Sequence, residues 1–257
     1  MIPIYDQAPT RRTPILTIGI ILACFGVFLY QQTLPDDGSL NSFQAFVCEW
    51  GTVPAHTIEG PDPALDISRT SGDLTCQGVS QLHDRWTGLF TGLFLHGDWM
   101  HLLGNMLFLW IFGNNVEDRL GRLRFLPFYL GCGALASLAQ AVTEPSSGIP
   151  SIGASGAISA IIGAYLVLLP RSRIWSLIGF VIPLPLPAWL WGAIYFGMQF
   201  LGLSSNGLSD GGGIAYWAHI GGFIAGFLLI RIAIIGRPPP PDAVLRRPPP
   251  GFHELRR

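Results

Sequence analysis

The chain has 257 residues, of which 49% are hydrophobic and only 12% are charged, and its formal net charge is -1. Soluble domains usually carry about 25% charged residues, so this composition argues against a soluble protein and favours a membrane protein. The alternative, a large soluble core of buried helices, would need far more polar covering than this sequence offers.

Long stretches of the chain contain no charged side chain, and they are residues 13–35, 99–116, 125–143, 145–170, 174–209 and 211–230. A helix needs about 20 apolar residues to cross a bilayer, and these stretches reach or approach that length. We therefore predict an all-α membrane protein, a bundle of six transmembrane helices embedded in the lipid bilayer.

All 15 basic residues are arginine, and most of them lie beside alternate hydrophobic stretches. These clusters are Arg11 and Arg12, then Arg119, Arg122 and Arg124, then Arg171 and Arg173, then Arg231, Arg237, Arg246 and Arg247. The positive-inside rule places them in the cytoplasm, so both termini are expected there, as an even number of spans requires. The expected location is a bacterial inner membrane.

In chain order, we expect a cytoplasmic N-terminal lead over 1–13, a membrane domain over 14–236 and a disordered, Pro- and Arg-rich cytoplasmic tail over 237–257. The first helix is predicted at 14–32, and an extracytoplasmic loop follows over 33–95. No cleavable signal peptide is expected, because the first apolar run is long and no small-residue cleavage site follows it.

Four cysteines divide between the loop and the spans. Cys48 and Cys76 both lie in the extracytoplasmic loop, where a structural disulfide could form if that side is oxidising. The sequence leaves this pairing open, because it does not give the Cα separation. Cys24 and Cys132 fall within apolar spans, where we expect inert packing residues.

The remaining helices are predicted at 98–116, 125–142, 151–170, 187–202 and 214–234, with a flexible outside loop at 203–213. The charge-free run from 174 to 209 is too long for one simple span. It contains Pro183, Pro185 and Pro187, and proline at every second position cannot lie in a helix interior. Residues 174–186 are therefore interpreted as an apolar cytoplasmic or interfacial connection, and Pro187 opens the fifth helix.

Polar groups inside transmembrane helices are candidates for function, because burying them in lipid is unfavourable. Ser155 lies in the sequence Gly153-Ala154-Ser155-Gly156 near the start of the fourth helix, where backbone N–H groups lack intrahelical partners. The small residues Gly153 and Gly156 would let a substrate backbone approach the hydroxyl. A serine within a small-residue packing face gives the same pattern, so this signal alone is weak.

His219 shares a face of the sixth helix with Ala215, Gly222 and Gly226. Small residues at this spacing let transmembrane helices approach closely, so His219 could reach Ser155 if the fourth and sixth helices pack together. A neutral imidazole could then take the serine proton and make the hydroxyl a nucleophile. A histidine that only bonds to a neighbouring helix is the alternative.

His101 and Asn105 are spaced by four residues on the second helix, so both project from one face. Both can donate hydrogen bonds to a developing oxyanion, and such donors are typically worth about 3–4 kcal/mol each. A metal site formed by His96, His101 and His219 is the alternative. No carboxylate is spaced to join them and no His-Glu-x-x-His pattern is present, so we expect no metal.

Together these motifs resemble the rhomboid family over about residues 86–227 of this chain. The resemblance rests on FLHGDWMHLLGNM at 94–106, GASGA at 153–157 and WAHIGG at 217–222, in this order on a six-span plan. The segments VEDRLG at 116–121 and PAW at 187–189 also look like the family's. Each segment alone would be weak, whereas the ordered set is specific.

The resemblance implies an intramembrane serine endopeptidase with a dyad of Ser155 and His219 and no third carboxylate. It implies an oxyanion site made by His101, Asn105 and the Ser155 backbone N–H. The expected substrates are transmembrane proteins, cut near the extracytoplasmic ends of their helices. No cofactor, no metal and no nucleic-acid partner is expected. The fifth helix and residues 203–213 are expected, by resemblance, to move when substrate enters.

The chain departs from the family pattern at two places. Many members have Trp-Arg eight to nine residues before the first His of the second-helix motif, and here Thr87 and Gly88 stand there. Some members carry a tyrosine four residues after the nucleophile, which stacks on the catalytic histidine, and here that residue is Ser159. Another aromatic residue, Tyr216 or Trp217, could support the ring instead.

Two other functions compete with proteolysis. A rhomboid-like pseudoprotease would bind membrane clients without cutting them, but such proteins usually lack the serine or the histidine, and both are present here. A small transporter would usually show inverted repeats with broken helices in matching halves, and the sequence shows no such halves.

Overall fold

The computed structural model describes residues 1–8, 10–35, 42–60, 66–70, 73–77, 84–179, 181–206 and 214–237. Most of this part of the chain is helical, as predicted. The helices are α1 (Ile15–Gln31), α2 (Phe43–Trp50), α3 (Pro54–Glu59), α4 (Gly88–Thr91), α5 (Trp99–Phe108), α6 (Asn114–Leu120), α7 (Arg122–Thr143), α8 (Ser155–Leu168), α9 (Ala188–Asn206) and α10 (Tyr216–Ala233). The predicted disordered tail over 237–257 lies outside the described residues, apart from its first residue.

The all-α prediction is incomplete, because the described residues also form strands: β1 (Ile2–Asp6), β2 (Asp66–Thr70), β3 (Asp73–Gln77), β4 (Arg173–Ile178) and β5 (Ile182–Pro187). β2 pairs with β3, and the other strands form an antiparallel sheet in the order β1-β4-β5. The N-terminal lead and the connection at 174–186 are therefore paired with each other. In β1, Ile2 lies opposite Leu177 of β4.

The proline repeat explains why the connection is a strand rather than a helix. In β5, Pro183, Pro185 and Pro187 lie opposite alternate residues of β4, and β5 is an edge strand of its sheet. Along an edge strand, the backbone nitrogen of one residue points toward the partner strand, and that of the next residue points away from it. Prolines at a spacing of two can all lie where no ladder bond is needed, which is where edge strands tolerate proline.

Within the described residues, α7 and α10 are the helices long and apolar enough to cross a membrane, and α1 and α8 are shorter apolar helices. The predicted second helix appears as α5 and α6, joined by a π-helical turn at Leu109–Gly113. The Asp98 side chain caps the start of α5 by accepting a hydrogen bond from the His101 N–H at 2.9 Å. Helix α6 ends at Gly121, whose φ of 71° suits glycine.

Helices α8 and α10 pack with their backbones in contact. A Cβ atom at Gly222 would collide with the Gly156 carbonyl oxygen, and one at Gly226 would collide with the Ala160 carbonyl oxygen. On the opposite helix, a Cβ atom at Gly163 would collide with the Phe223 carbonyl oxygen. The small-residue face that the sequence indicated on α10 therefore lies directly against α8.

Gly226→Ala is expected to lower the stability of the protein by about 1–3 kcal/mol, because the added methyl group would force α8 and α10 apart. The matched control is Gly131→Ala in α7, where a Cβ atom would meet nothing within 4 Å. That variant should unfold at or slightly above the wild-type temperature, since alanine favours helix. Thermal unfolding in detergent micelles compares the two, and equal shifts would contradict the close packing.

The segment between α1 and α5 is hydrogen-bonded to the loop that precedes α8. Thr52 and Ser151 exchange backbone hydrogen bonds of 3.0 and 2.8 Å, and the Gly153 N–H donates to the Gly92 carbonyl at 2.8 Å. In the same segment the structure joins Cys48 to Cys76 in a disulfide, with Cα atoms 5.6 Å apart. Backbone hydrogen bonds to Thr52 and Gly92 therefore fix loop 151–154 before the chain enters α8.

Candidate active site

Ser155 and His219, 64 residues apart in the chain, meet where α8 packs against α10. The distance from Ser155 Oγ to His219 Nε2 is 2.7 Å, a short hydrogen bond. Ser155 is the first residue of α8, and His219 lies in the first turn of α10. The close approach of the two backbones at their glycines brings these side chains side by side.

The turn before Ser155 depends on one glycine. Gly153 has a φ of 114°, in the left-handed region that L side chains rarely adopt. The chain then enters α8, where the first intrahelical bond runs from the Ile158 N–H to the Ala154 carbonyl at 2.9 Å. The N–H groups of Ser155 and the next residues precede that bond, so they have no partner within the helix. They form the positive end of the helix dipole beside the Ser155 hydroxyl.

His101 and Asn105 face this turn from α5. A Cβ atom built on Gly153 would lie 2.5 Å from His101 Nε2 and 3.5 Å from Asn105 Nδ2, so both polar ends lie against it. The Gly97 N–H donates a long hydrogen bond of 3.5 Å to His101 Nδ1, which favours the tautomer with the proton on Nε2, where it could be donated to a ligand. Asn105 Nδ2 is buried without a hydrogen-bond partner among the described residues.

A cavity of about 530 Å³ joins these groups. Its polar lining comes from Asp98, His101, Asn105, Ser155, Tyr195 and His219, and its apolar lining includes Met100, Phe108, Ile152, Ile158 and Ile214. This volume and a mostly apolar wall with few convergent polar groups are typical of ligand sites. All four polar residues that the sequence singled out within spans therefore line one cavity.

Sequence analysis missed two further polar residues at this site, both on α9. Gln199 Oε1 lies 2.8 Å from His219 Nδ1, and Tyr195 Oη lies 2.6 Å from Ser159 Oγ. Ser159 Oγ also donates to the Ser155 carbonyl at 2.8 Å. The rule that flagged the other four, a polar group inside a charge-free helix, would have found both.

The other sequence candidates take structural positions. Tyr216 lies edge-on to the His219 ring at a centroid distance of 6.3 Å. His96 is fully buried, its Nδ1 lies 3.2 Å from the Phe94 carbonyl, and its ring packs against that of His101.

Cys24 and Cys132 are buried and free. In the described part of the chain, no group of three or more His, Cys, Asp or Glu side chains could hold a metal ion.

Comparison with known proteins shows the family to which these residues point. The model of the rhomboid domain matches residues 83–235. The chain is 33% identical over 106 residues to the putative rhomboid protease YdcA of Bacillus subtilis, covering 41% of this chain and 53% of that protein. It is 36% identical over 155 residues to the rhomboid protease GluP of the same organism, covering 60% and 27%.

A plant protein matches a longer part of the chain. RHOMBOID-like protein 5 of Arabidopsis thaliana is 28% identical over 190 residues, covering 74% of this chain and 57% of that protein. The chain thus spans about half the length, or less, of these curated relatives.

Proposed function

This chain belongs to the rhomboid family, and from that premise we propose that it is an intramembrane serine endopeptidase with Ser155 as nucleophile and His219 as general base. The observation that carries the proposal is the 2.7 Å contact between Ser155 Oγ and His219 Nε2 at the wall of the cavity. A hydroxyl becomes a strong nucleophile only when a base accepts its proton, and this contact provides that base.

We propose six spans: α1, the continuous run of α5 and α6, α7, α8, α9 and α10. Each is apolar over most of its length, except that α6 at the end of the second span contains Glu117, Asp118 and Arg119. Helix α8 has only 14 residues, or about 21 Å, less than the thickness of the hydrocarbon core. Most of its residues are buried, so neighbouring helices rather than lipid surround it. A short buried helix starting below the membrane surface would place Ser155 inside the bilayer.

Contacts among the arginine-rich ends support a common cytoplasmic side. Strand β1 pairs with β4, which places the N-terminus beside the segment that contains Arg173. Arg124 donates to the carbonyls of Ala233 and Ile235 at 2.9 and 2.7 Å, and Arg237 donates to the Leu120 carbonyl. The end of α10 is thus fixed to the junction of α6 and α7. With the positive-inside rule, both termini of the membrane domain over 14–236 lie in the cytoplasm.

The proposed reaction begins when Ser155 Oγ attacks the scissile carbonyl carbon while His219 Nε2 takes the hydroxyl proton. The carbonyl oxygen becomes an oxyanion, stabilised by His101 Nε2–H, the Asn105 amide and the Ser155 N–H. The tetrahedral intermediate collapses as His219 gives its proton to the leaving nitrogen and the C–N bond breaks. Water then attacks the acyl-enzyme with the same base, releasing the acid and restoring Ser155.

The substrates we propose are transmembrane proteins, cut near the extracytoplasmic ends of their helices. The carbonyls of a helix are hydrogen-bonded and enclosed by side chains, so the substrate must unwind locally before Ser155 can reach one. The cavity wall is mostly apolar and borders the extracytoplasmic segment through loop 151–154. An unwound helix end could enter this region without passing through the bundle.

The test is cleavage by the full chain in liposomes that contain a labelled single-span protein. Wild-type protein should cut it, and mass spectrometry of the products should place the cut within the outermost turns of the substrate helix. A pseudoprotease would bind the substrate without forming products. Cuts confined to the soluble parts of the substrate would contradict an active site within the membrane.

A further inference from the structure

We propose that Gln199 is a positioning residue that holds His219 in the tautomer able to accept the Ser155 proton. The inference rests on the proposed function of Ser155 and His219. Gln199 lies on α9, its side chain is buried at 8% exposure, and its Oε1 lies 2.8 Å from His219 Nδ1. Ser155 occupies the other ring nitrogen, so the imidazole is held at both ends.

The orientation of the Gln199 amide follows from its second contact. Gln199 Nε2 donates to the Tyr195 backbone carbonyl at 3.1 Å. A carbonyl oxygen can only accept, so the NH₂ end of the amide must face Tyr195 and the oxygen end must face His219. An amide oxygen also only accepts, so Nδ1 of His219 must carry the proton.

This assignment fixes the chemistry at the opposite nitrogen. A neutral imidazole has one protonated nitrogen, so with the proton on Nδ1 the Nε2 lone pair faces the Ser155 hydroxyl. In the other tautomer an Nε2–H would face the hydroxyl, and His219 could not act as its base. Two lone pairs, those of Nδ1 and Gln199 Oε1, would also face each other. Gln199 therefore disfavours the unproductive tautomer.

The same contact persists when His219 becomes protonated, because Nδ1–H remains a donor to the amide oxygen. In soluble serine proteases a buried carboxylate holds the histidine in this way. A carboxylate among transmembrane helices would be costly to bury, whereas a neutral amide provides the acceptor without a charge. Gln199 thus extends the proposed dyad to a Ser-His-Gln arrangement with no third carboxylate.

The test compares Gln199→Leu with Gln140→Leu. Gln140 on α7 is also buried, and its Oε1 accepts from the Ala218 N–H of α10 at 3.3 Å, whereas the ring nitrogens of His219 bond to Gln199 and Ser155. Gln199→Leu should lower kcat about 10- to 100-fold with KM unchanged, the effect expected from removing one buried hydrogen-bond partner. Gln140→Leu should leave kcat near the wild-type value.

Two further measurements separate positioning from general loss of structure. Covalent labelling of Ser155 by a fluorophosphonate probe, which needs no transmembrane substrate, should slow in Gln199→Leu by the same factor as kcat. Gln199→Glu should restore most of the rate, because its carboxyl oxygen accepts from Nδ1–H in either protonation state. In ¹⁵N spectra of histidine-labelled protein, His219 should be protonated at Nδ1 in the wild type and lose this preference in Gln199→Leu.

A wild-type labelling rate in Gln199→Leu would overturn the proposal, as would equal losses in Gln199→Leu and Gln140→Leu. Failure of Gln199→Glu to restore the rate would also overturn it. These outcomes differ from failure of the proposed function, which would appear as continued cleavage and labelling in Ser155→Ala.

Discussion

Ser155→Ala is expected to abolish cleavage, with a fall in kcat of about 10⁴-fold or more. The variant removes the only atom that forms the acyl-enzyme bond in the proposed reaction, and Ser155 Oγ is the group that His219 Nε2 contacts at 2.7 Å. The measurement is product formation from a labelled single-span substrate in liposomes. The fold should survive, because the change removes one small polar atom at the wall of an open cavity.

The matched control is Ser137→Ala, the same change at a buried serine of α7 that does not line the cavity. It should cut at close to the wild-type rate. His219→Ala should lose as much activity as Ser155→Ala, and the double variant should be no worse than either, because residues that act as one unit are strongly non-additive. Additive losses, or cutting by Ser155→Ala, would refute the dyad.

Asn105→Leu is expected to lower kcat by about 10²–10³-fold, with KM little changed, because an oxyanion donor acts mainly in the transition state. Asn105 Nδ2 is buried and unpartnered among the described residues, and it faces the turn at Gly153 that leads into Ser155. A buried donor without a partner destabilises the folded state. The substrate oxyanion would supply the partner that the free enzyme lacks.

The same variant should be more heat-stable than the wild type, since leucine of similar size removes the unpartnered amide. Activity and stability would then change in opposite directions. A variant that damaged the fold would lower both, and that result would contradict the oxyanion role. Leu103→Ala, at a half-exposed position of the same helix, should leave kcat unchanged.

The sequence predicted those features of the site that depend on residues close together in the chain. The spacing of His101 and Asn105 placed both on one face of a helix, and both line the cavity. The alternate prolines excluded a helix over 183–187, although they did not predict pairing with β4. Pairing of β1 with β4 joins segments about 170 residues apart, and the periodicity of either segment carries no information about the other.

Two helix ends were predicted less well than the helices themselves. Helix α9 extends to Asn206 rather than ending near Gly202, and α8 begins at Ser155 rather than at Ser151. In the second case, backbone bonds of Ser151 with Thr52 and of Gly153 with Gly92 hold residues 151–154 in a loop. These partners lie far away in the sequence, so tertiary contacts rather than local propensity set the start of the helix.

The sequence by itself determined membership of a membrane-protein family and the order of the apolar segments, and it singled out Ser155 and His219 as candidates, because hydrophobicity, charge and motif spacing are properties of short stretches of chain. Only the tertiary structure decided which side chains meet. The 2.7 Å contact of Ser155 with His219, the disulfide of Cys48 with Cys76, and the approach of Gln199 to the histidine all depend on how far each helix is rotated and how deep it lies. Rotation and depth are fixed by packing between distant segments, such as the glycine faces of α8 and α10.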